Sequence, residues 1–376
     1  MAFLWALMLT LAVCDLLLVV EVCRHGARAP SEIYPWNQHH WAATDLLQLT
    51  KKGREQHQVL GKSLRQLYPD LVAEGFDRKQ VRIFSSETRR TIESSLEQLT
   101  GLFPGLLYDA SDLRQPYVYD SGLCYPLDFT VKPNGANTLL QAYRSENCPR
   151  MTHIMWRVMR RSNYQEMEQS ASAFGHLLQP TDKNLTTLEQ VSELVSNVKC
   201  DLAEDLELPT DLTESLQPLV ELEEYQRYTV PFDDEECLKL TCSEFFSTLL
   251  ADMEAAQSAS KPRFVLHSAH EMTVGAFLSC LHLNIQEIPD FASSLLFELH
   301  SDQRVVVRYN LKAQRLPQCP EPCRLPVFKE VLQVQIVSDL QQACQASALP
   351  QNATLLQEHG RSDVAEKVAL QSKREI

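Results

Sequence analysis

Residues 16–22, Leu-Leu-Leu-Val-Val-Glu-Val, make a run too short for a membrane helix and too apolar to face water on either side. Such a run reads as a strand buried on both faces, of the kind found in parallel sheets. It leads into Cys23-Arg24-His25-Gly26-Ala27-Arg28-Ala29-Pro30. Pro30 keeps the stretch from continuing as a ladder, and Gly26 lets the backbone turn sharply. One imidazole and two guanidiniums therefore stand where a buried strand ends, the edge of an open α/β sheet at which ligands bind. Arginine presents a planar fork of donors that matches phosphate oxygens, and neutral imidazole is a competent nucleophile. The bland alternative is a surface loop with two solvated arginines and an incidental histidine.

The same arrangement recurs twice. Val81-Arg82-Ile83-Phe84-Ser85 reads as a strand leading into Ser86-Glu87-Thr88-Arg89-Arg90-Thr91, where hydroxyls and an acid can cap a helix with a stripe of Ile92, Leu96, Leu99 and Phe103. Phe264-Val265-Leu266 reads as a third strand, ending at His267-Ser268-Ala269-His270-Glu271 before another helix. Chance would not place clusters of Arg, His and Glu at three equivalent strand exits. His267 fits a pocket wall or a satisfied core position better than chemistry.

These stretches carry a resemblance. Arg24 to Pro30 resembles the RHGxRxP signature of the histidine acid phosphatases, a branch of the histidine phosphatase superfamily. Leu49-Thr50-Lys51-Lys52-Gly53-Arg54-Glu55-Gln56-His57 with Leu60-Gly61 is similar to that family's LTxxGxxQHxxLG helix, on which His57 reads as packing. Ser86 to Thr91 resembles its STDxxRT motif, with Ser86-Glu87 in place of Thr-Asp and Arg90 in place of the phosphate-binding arginine. His270-Glu271 stands where the family has His-Asp, and the inositol polyphosphate phosphatases carry His-Ala-Glu in this region. The resemblance implies a three-layer α/β sandwich with a mostly parallel central sheet and an inserted helical cap. It also implies a reaction. Arg24, Arg28 and Arg90 hold the phosphate, His270 adds a donor, His25 becomes a phosphohistidine, and Glu271 protonates the leaving alcohol. The expected substrate is a small phosphate monoester. No metal or other cofactor is expected, because arginines supply the electrostatic stabilisation and Glu271 the proton. Two alternatives stay open: a phytase or inositol polyphosphate phosphatase-like enzyme, and a secreted binding protein on an inactive phosphatase scaffold.

The rest of the chain supplies context. Residues 1–14 are almost wholly apolar, with Ala12-Val13-Cys14 as a small-residue cleavage site, and read as a signal peptide. Asn184-Leu185-Thr186 and Asn352-Ala353-Thr354 are glycosylation sequons. Without Cys14 ten cysteines remain; Cys319 and Cys323 are the best local disulfide candidate, and the family spacing pairs Cys344 with Cys148. The expected location is secreted or the lysosomal lumen, with no membrane anchor. A net charge of −14 argues against a nucleic-acid partner. A homodimer is compatible with the chain but not required by it. Residues 15–114 and 257–350 are expected to form the α/β core, 115–256 a helical cap lobe, and 351–376 a polar tail. Within the cap, helical patterns cover 136–145, 151–174, 188–198 and 244–253, the last with Ser243 as N-cap. Leu295–His300 and Val305–Tyr309 read as a hairpin. The loop after Pro30, with Trp36, His39, His40 and Trp41, fits pocket shaping or plain packing equally well.

Overall fold

The computed structural model describes residues 15–345 apart from 74, 113, 114, 121, 179–186, 258–261 and 284–286. The signal peptide, both sequon asparagines (Asn184 and Asn352) and the polar tail lie outside the described residues. Ten strands follow in chain order: β1 (Leu16–Arg24), β2 (Val81–Ser86), β3 (Leu107–Asp109), β4 (Tyr117–Asp120), β5 (Leu123–Pro126), β6 (Asp128–Lys132), β7 (Phe264–Ala269), β8 (Ser294–His300), β9 (Val305–Tyr309) and β10 (Lys312–Gln314). Seven of them form one sheet in the order β10-β9-β8-β1-β7-β2-β6, and β3, β4 and β5 form a small separate one. The four neighbours β1, β7, β2 and β6 run parallel, and the antiparallel strands β8, β9 and β10 extend the sheet beyond β1.

The apolar run of β1 is explained by its central place. Leu18, Val20 and Val22 enter an apolar cluster on one face of the sheet, while Val19 and Cys23 enter a second on the other. The first cluster takes Phe245 and Phe246 from helix Glu235–Ala255, Phe277 from helix Glu271–Cys280 and Phe328 from helix Leu325–Gln333. The second takes Leu64 from helix Lys51–Leu67 and Leu96 and Leu99 from helix Arg89–Leu102. Helices thus cover both faces, giving three layers.

Register brings the strand exits together. Arg24 pairs with Ala269 across β1 and β7, and Ser85 pairs with Ser268 across β2 and β7. Parallel strands ending at one level deliver His25, His270 and the Ser86–Thr91 segment to one edge of the sheet.

Helix Lys51–Leu67 buttresses the turn after β1. Its N-cap Thr50 accepts from Gly53 N at 3.0 Å. The first turn meets the signature loop through two glycines: a Cβ on Gly53 would lie 2.1 Å from Ala27 O, and one on Gly26 would lie 2.2 Å from Gly53 O. Helix propensity alone would make Gly53→Ala stabilising by ~1 kcal/mol. The backbone contact reverses the sign. Urea denaturation is expected to show Gly53→Ala destabilised by about 1–3 kcal/mol, the usual cost of overpacking.

The middle of the chain departs from the sequence reading in four ways. β6, placed in the cap by the boundary at 115, pairs with β2 in the main sheet. The last cap helix begins at Glu235, nine residues earlier than its apolar pattern suggested, because Asp234 caps it by accepting from Cys237 N. Ser243 is therefore inside the helix, where its hydroxyl accepts from Val337 N at 2.9 Å. That helix packs on the sheet, so it belongs to the core. The helix expected over 136–145 is only Thr138–Gln141, because Asn147 folds back to accept from Asn137 N and to donate to Gln141 O. The pattern over 151–174 is two helices, Arg150–Met159 and Ser162–Ser172, broken at an extended Arg161. Met151, Ile154 and Val158 of the first, with Tyr164 and Ala171 of the second, share one cap cluster.

Three disulfides close the described residues: Cys148–Cys344, Cys242–Cys280 and Cys319–Cys323. Cys23, Cys124, Cys200 and Cys237 are free thiols. The even cysteine count therefore does not reflect complete pairing, and Cys242–Cys280 is a bridge that no local spacing announced.

Candidate active site

The site grows from the last residue of β1. Arg24 is buried, donates from Nη1 to Pro289 O at 2.8 Å and lies with its Cζ 4.1 Å from the centroid of the Phe291 ring. Its Nε is 3.4 Å from Glu271 Oε2. His25 follows, also buried, with Nδ1 2.8 Å from Gly26 O. A carbonyl can only accept, so Nδ1 carries the proton and Nε2 keeps its lone pair. Burial, and then the charges of Arg90 and Arg24, hold the His25 imidazole well below its usual range, so the ring is neutral in weak acid.

His270 arrives from the end of β7 as the residue capping helix Glu271–Cys280. Its ring is 5.6 Å from that of His25, edge-on, and its Nε2 is 2.9 Å from Ser86 Oγ. Ser86 Oγ is also 3.0 Å from Thr91 Oγ1, so the β2 exit fixes the His270 ring. Burial and the Arg90 charge hold His270 low as well. Arg90, in the first turn of helix Arg89–Leu102, is thus felt electrostatically by both rings.

Glu271 stands in the first turn of its helix, bracketed by two cations. Arg24 approaches Oε2, and Arg227 Nη1, from the cap, lies 3.3 Å from Oε1. Burial pushes this carboxyl up, but Arg24, Arg227 and the two histidines outweigh it and hold it well below the usual carboxylate range. Glu271 is therefore a carboxylate in weak acid. Arg28 sits at the rim, donating to Ala29 O at 2.9 Å and to Ser196 Oγ of cap helix Leu188–Ala203 at 3.2 Å.

Donor atoms of His25, His270 and Glu271 lie within 4.8 Å of one another, a spacing a cation could use. The guanidiniums of Arg24 and Arg90 beside them oppose a cation and favour an anion.

Two further histidines are buried away from the site. His57 is fully buried, with Nε2 3.1 Å from Arg24 O and Nδ1 3.1 Å from Gln98 Oε1, and burial lowers it to about 4. It braces the Arg24–Pro30 loop from behind. His267 lies inside β7, stacked on Phe84 at 4.9 Å and lowered by burial to about 3, so it is core. His40 is exposed, its ring edge-on to Trp41, and Trp41 in turn donates to Asp201 of the cap.

A family model decides the kinship: the histidine phosphatase superfamily (branch 2) matches residues 15–312. The chain belongs to that family. It is 27% identical to the testicular acid phosphatase of Mus musculus over 350 residues, covering 84% of this chain and 79% of the relative. To the lysosomal acid phosphatase of Homo sapiens it is 24% identical, covering 90% and 82%. The solved structure of Hafnia alvei phytase in complex with tartrate superposes with a TM-score of 0.60 at 14% identity, covering 89% of this chain and all of that one. At that identity the match speaks for the fold of this branch of histidine phosphatases.

Sequence reasoning missed Ser86 as the partner of His270, Phe291 beneath Arg24, and Arg227. Ser86 stood within a quoted motif and had the signal. Arg227 lies in Tyr-Gln-Arg-Tyr-Thr, with no motif around it.

Proposed function

We propose that this chain is an acid phosphatase that hydrolyses phosphate monoesters through a phosphohistidine on His25, in the secretory or lysosomal lumen. One observation carries the reading: a neutral imidazole with a free Nε2, two guanidiniums, a second imidazole and a carboxylate converge at the exits of three parallel strands. Among the described residues no helix is long and apolar enough to cross a membrane.

Arg24 and Arg90 receive the phosphate oxygens, and Arg28 closes on them from the rim. A phosphate dianion draws Arg24 away from Glu271 and adds negative charge beside it. Both effects favour the protonated carboxyl, so substrate arrival converts Glu271 from carboxylate to acid. His25 Nε2 then attacks phosphorus. The P–N bond forms as the P–O bond to the alcohol breaks, and Glu271 gives its proton to the departing oxygen. In the second step water attacks phosphorus, Glu271 takes a proton from it, and the P–N bond breaks to release inorganic phosphate. His270 and the arginines stabilise the equatorial oxygens in both steps.

Two signs follow for pH. His25 is held below its usual range and stays a nucleophile in acid; Glu271 is a better donor in acid. Turnover of an aryl phosphate in the presence of EDTA is therefore expected at about pH 5 and to fall by pH 8. A rate that only rises between those values would overturn the assignment of Glu271, and abolition by EDTA would overturn metal-free chemistry. The alternative of a phytase-like enzyme is decided by the ratio of phytate to simple monoester turnover.

A further inference from the structure

The cap holds the catalytic carboxylate through one arginine. Arg227 lies midway along Tyr225–Thr229, a single π-helical turn between helix Leu216–Glu224 and the short helix Val230–Phe232. Pro231, four residues past Arg227, has no N–H to give, which favours an irregular hydrogen-bond pattern there. Such turns recur at functional sites because they re-aim a side chain. Three contacts fix this one. Arg227 Nε donates to Ser192 Oγ of the Leu188–Ala203 helix at 2.7 Å, lies 3.5 Å from Glu223 Oε1, and leaves Nη1 on Glu271 Oε1.

The turn is also seated on the helix that bears the acid. The Tyr228 ring occupies the space over Gly275, where a Cβ would lie 2.6 Å from Tyr228 Cε2. Gly275 is four residues past Glu271, so ring and guanidinium engage one face of that helix. The cap is keyed to the acid by shape and by charge together.

The groups around Glu271 divide into those that phosphate takes and those it leaves. Arg24 comes from β1, His25 from the signature loop, His270 from the preceding residue, Arg227 from the π turn, and Tyr143 from the segment after helix Thr138–Gln141. In the proposed reaction Arg24 turns to the phosphate and His25 becomes phosphorylated. Arg227 is then the cation left on the carboxylate.

We propose that Arg227 is a positioning residue that holds Glu271 in place throughout turnover and sets the pH above which it stops donating its proton, an inference that rests on Glu271 being the general acid. The sign is fixed. A cation beside a carboxyl favours its ionised form, so removing Arg227 lets the protonated donor persist to higher pH.

The test compares wild type, Arg227→Gln and Arg227→Lys on an alkyl phosphate, whose poor leaving group makes departure depend on the proton. The quantity read is the alkaline limb of kcat; using one substrate cancels its own ionisation. Arg227→Gln is expected to move that limb up by about one pH unit, in line with the loss of one adjacent charge, while Arg227→Lys keeps it close to wild type. A folded Arg227→Gln whose limb stays put overturns the proposal, as does an equal move in both variants. If Arg227→Gln does not fold, Ser192→Ala frees Nε but leaves the charge; a smaller upward move is expected, and an unmoved limb again overturns it. Glu271→Gln in the same assay separates the two readings. If it abolishes the limb while Arg227→Gln leaves the limb in place, only the role of Arg227 falls. If Glu271→Gln keeps the wild-type limb, the general acid assignment falls, and this inference with it.

Discussion

His25→Ala is expected to lower turnover of an aryl phosphate at about pH 5 by roughly four to six orders of magnitude, the scale seen when the nucleophile of a covalent mechanism is removed. The size follows from what the site leaves behind. His270 cannot take over, because its Nε2 is bound to Ser86 Oγ at 2.9 Å and its ring lies edge-on to the vacated position. Water could enter the space, but it cannot replace the neutral imidazole whose free Nε2 would form the bond to phosphorus. A second readout makes the result specific. Wild type quenched during turnover of labelled substrate should carry acid-labile phosphate, and His25→Ala none. The fold should survive, since strand, helix and cap contacts of the loop use its backbone and its neighbours, among them Gly26 N to Ser94 Oγ and Ala27 N to Gln56 Oε1. A thermal melt near that of wild type would show it. If wild type itself neither turns over nor takes label, the chain is a binding protein on a phosphatase scaffold; a His25→Ala variant that keeps its rate would place the nucleophile elsewhere.

The sequence carried the half of the site that is built from strand exits. The run Leu16–Val22 is apolar without alternation because β1 lies mid-sheet with helices on both faces, and that same burial is what forces its polar continuation, Arg24 and His25, to the sheet edge. Thr50 could be read as a cap because a hydroxyl three residues before Gly53 is a local signal. The hairpin of β8 and β9 was legible for a like reason: pairing across a short turn is local. What escaped was non-local. Nothing near Asp128 shows that its strand docks beside β2, because a short strand at a sheet edge has little pattern. Arg227 reaches Glu271 across 44 residues of chain, by way of an irregular turn whose sequence carries no motif. The electrostatics of Glu271 escaped for the same reason. The folded site brackets it with Arg24 and Arg227, which no local pattern announces and which hold its carboxyl well below the usual carboxylate range.

Asp201→Ala is expected to be the most destabilising single change among the residues that hold the loop framing the site, by about 3–5 kcal/mol in urea denaturation. Asp201 is fully buried in the last turn of helix Leu188–Ala203. Its two oxygens accept from Trp36 Nε1 at 3.0 Å, Trp41 Nε1 at 2.7 Å, and Asn37 Nδ2 at 3.1 and 2.9 Å. Alanine strands three donors at once, each buried orphan costing roughly 1–3 kcal/mol before relaxation, and opens a cavity between loop and cap. Asp201→Asn keeps one acceptor and should lose about half as much. The same helix carries two further ties to the signature loop: Asn197 Oδ1 accepts from Ser31 N at 2.7 Å and from Ser31 Oγ at 2.9 Å, and Ser196 holds Arg28. Loosening the loop should therefore release Arg28 and raise KM for phosphate monoesters by about tenfold, the effect of losing one charge-assisted contact of 1.4 kcal/mol. His25 is braced separately, by β7 and by His57 behind Arg24, so kcat should change much less than KM. A variant within 1 kcal/mol of wild type would mean that the stacked rings of Tyr34 and Trp36, 4.5 Å apart, hold the loop without the carboxylate. A collapse of kcat at unchanged KM would mean that the loop supports the nucleophile rather than the phosphate-binding rim.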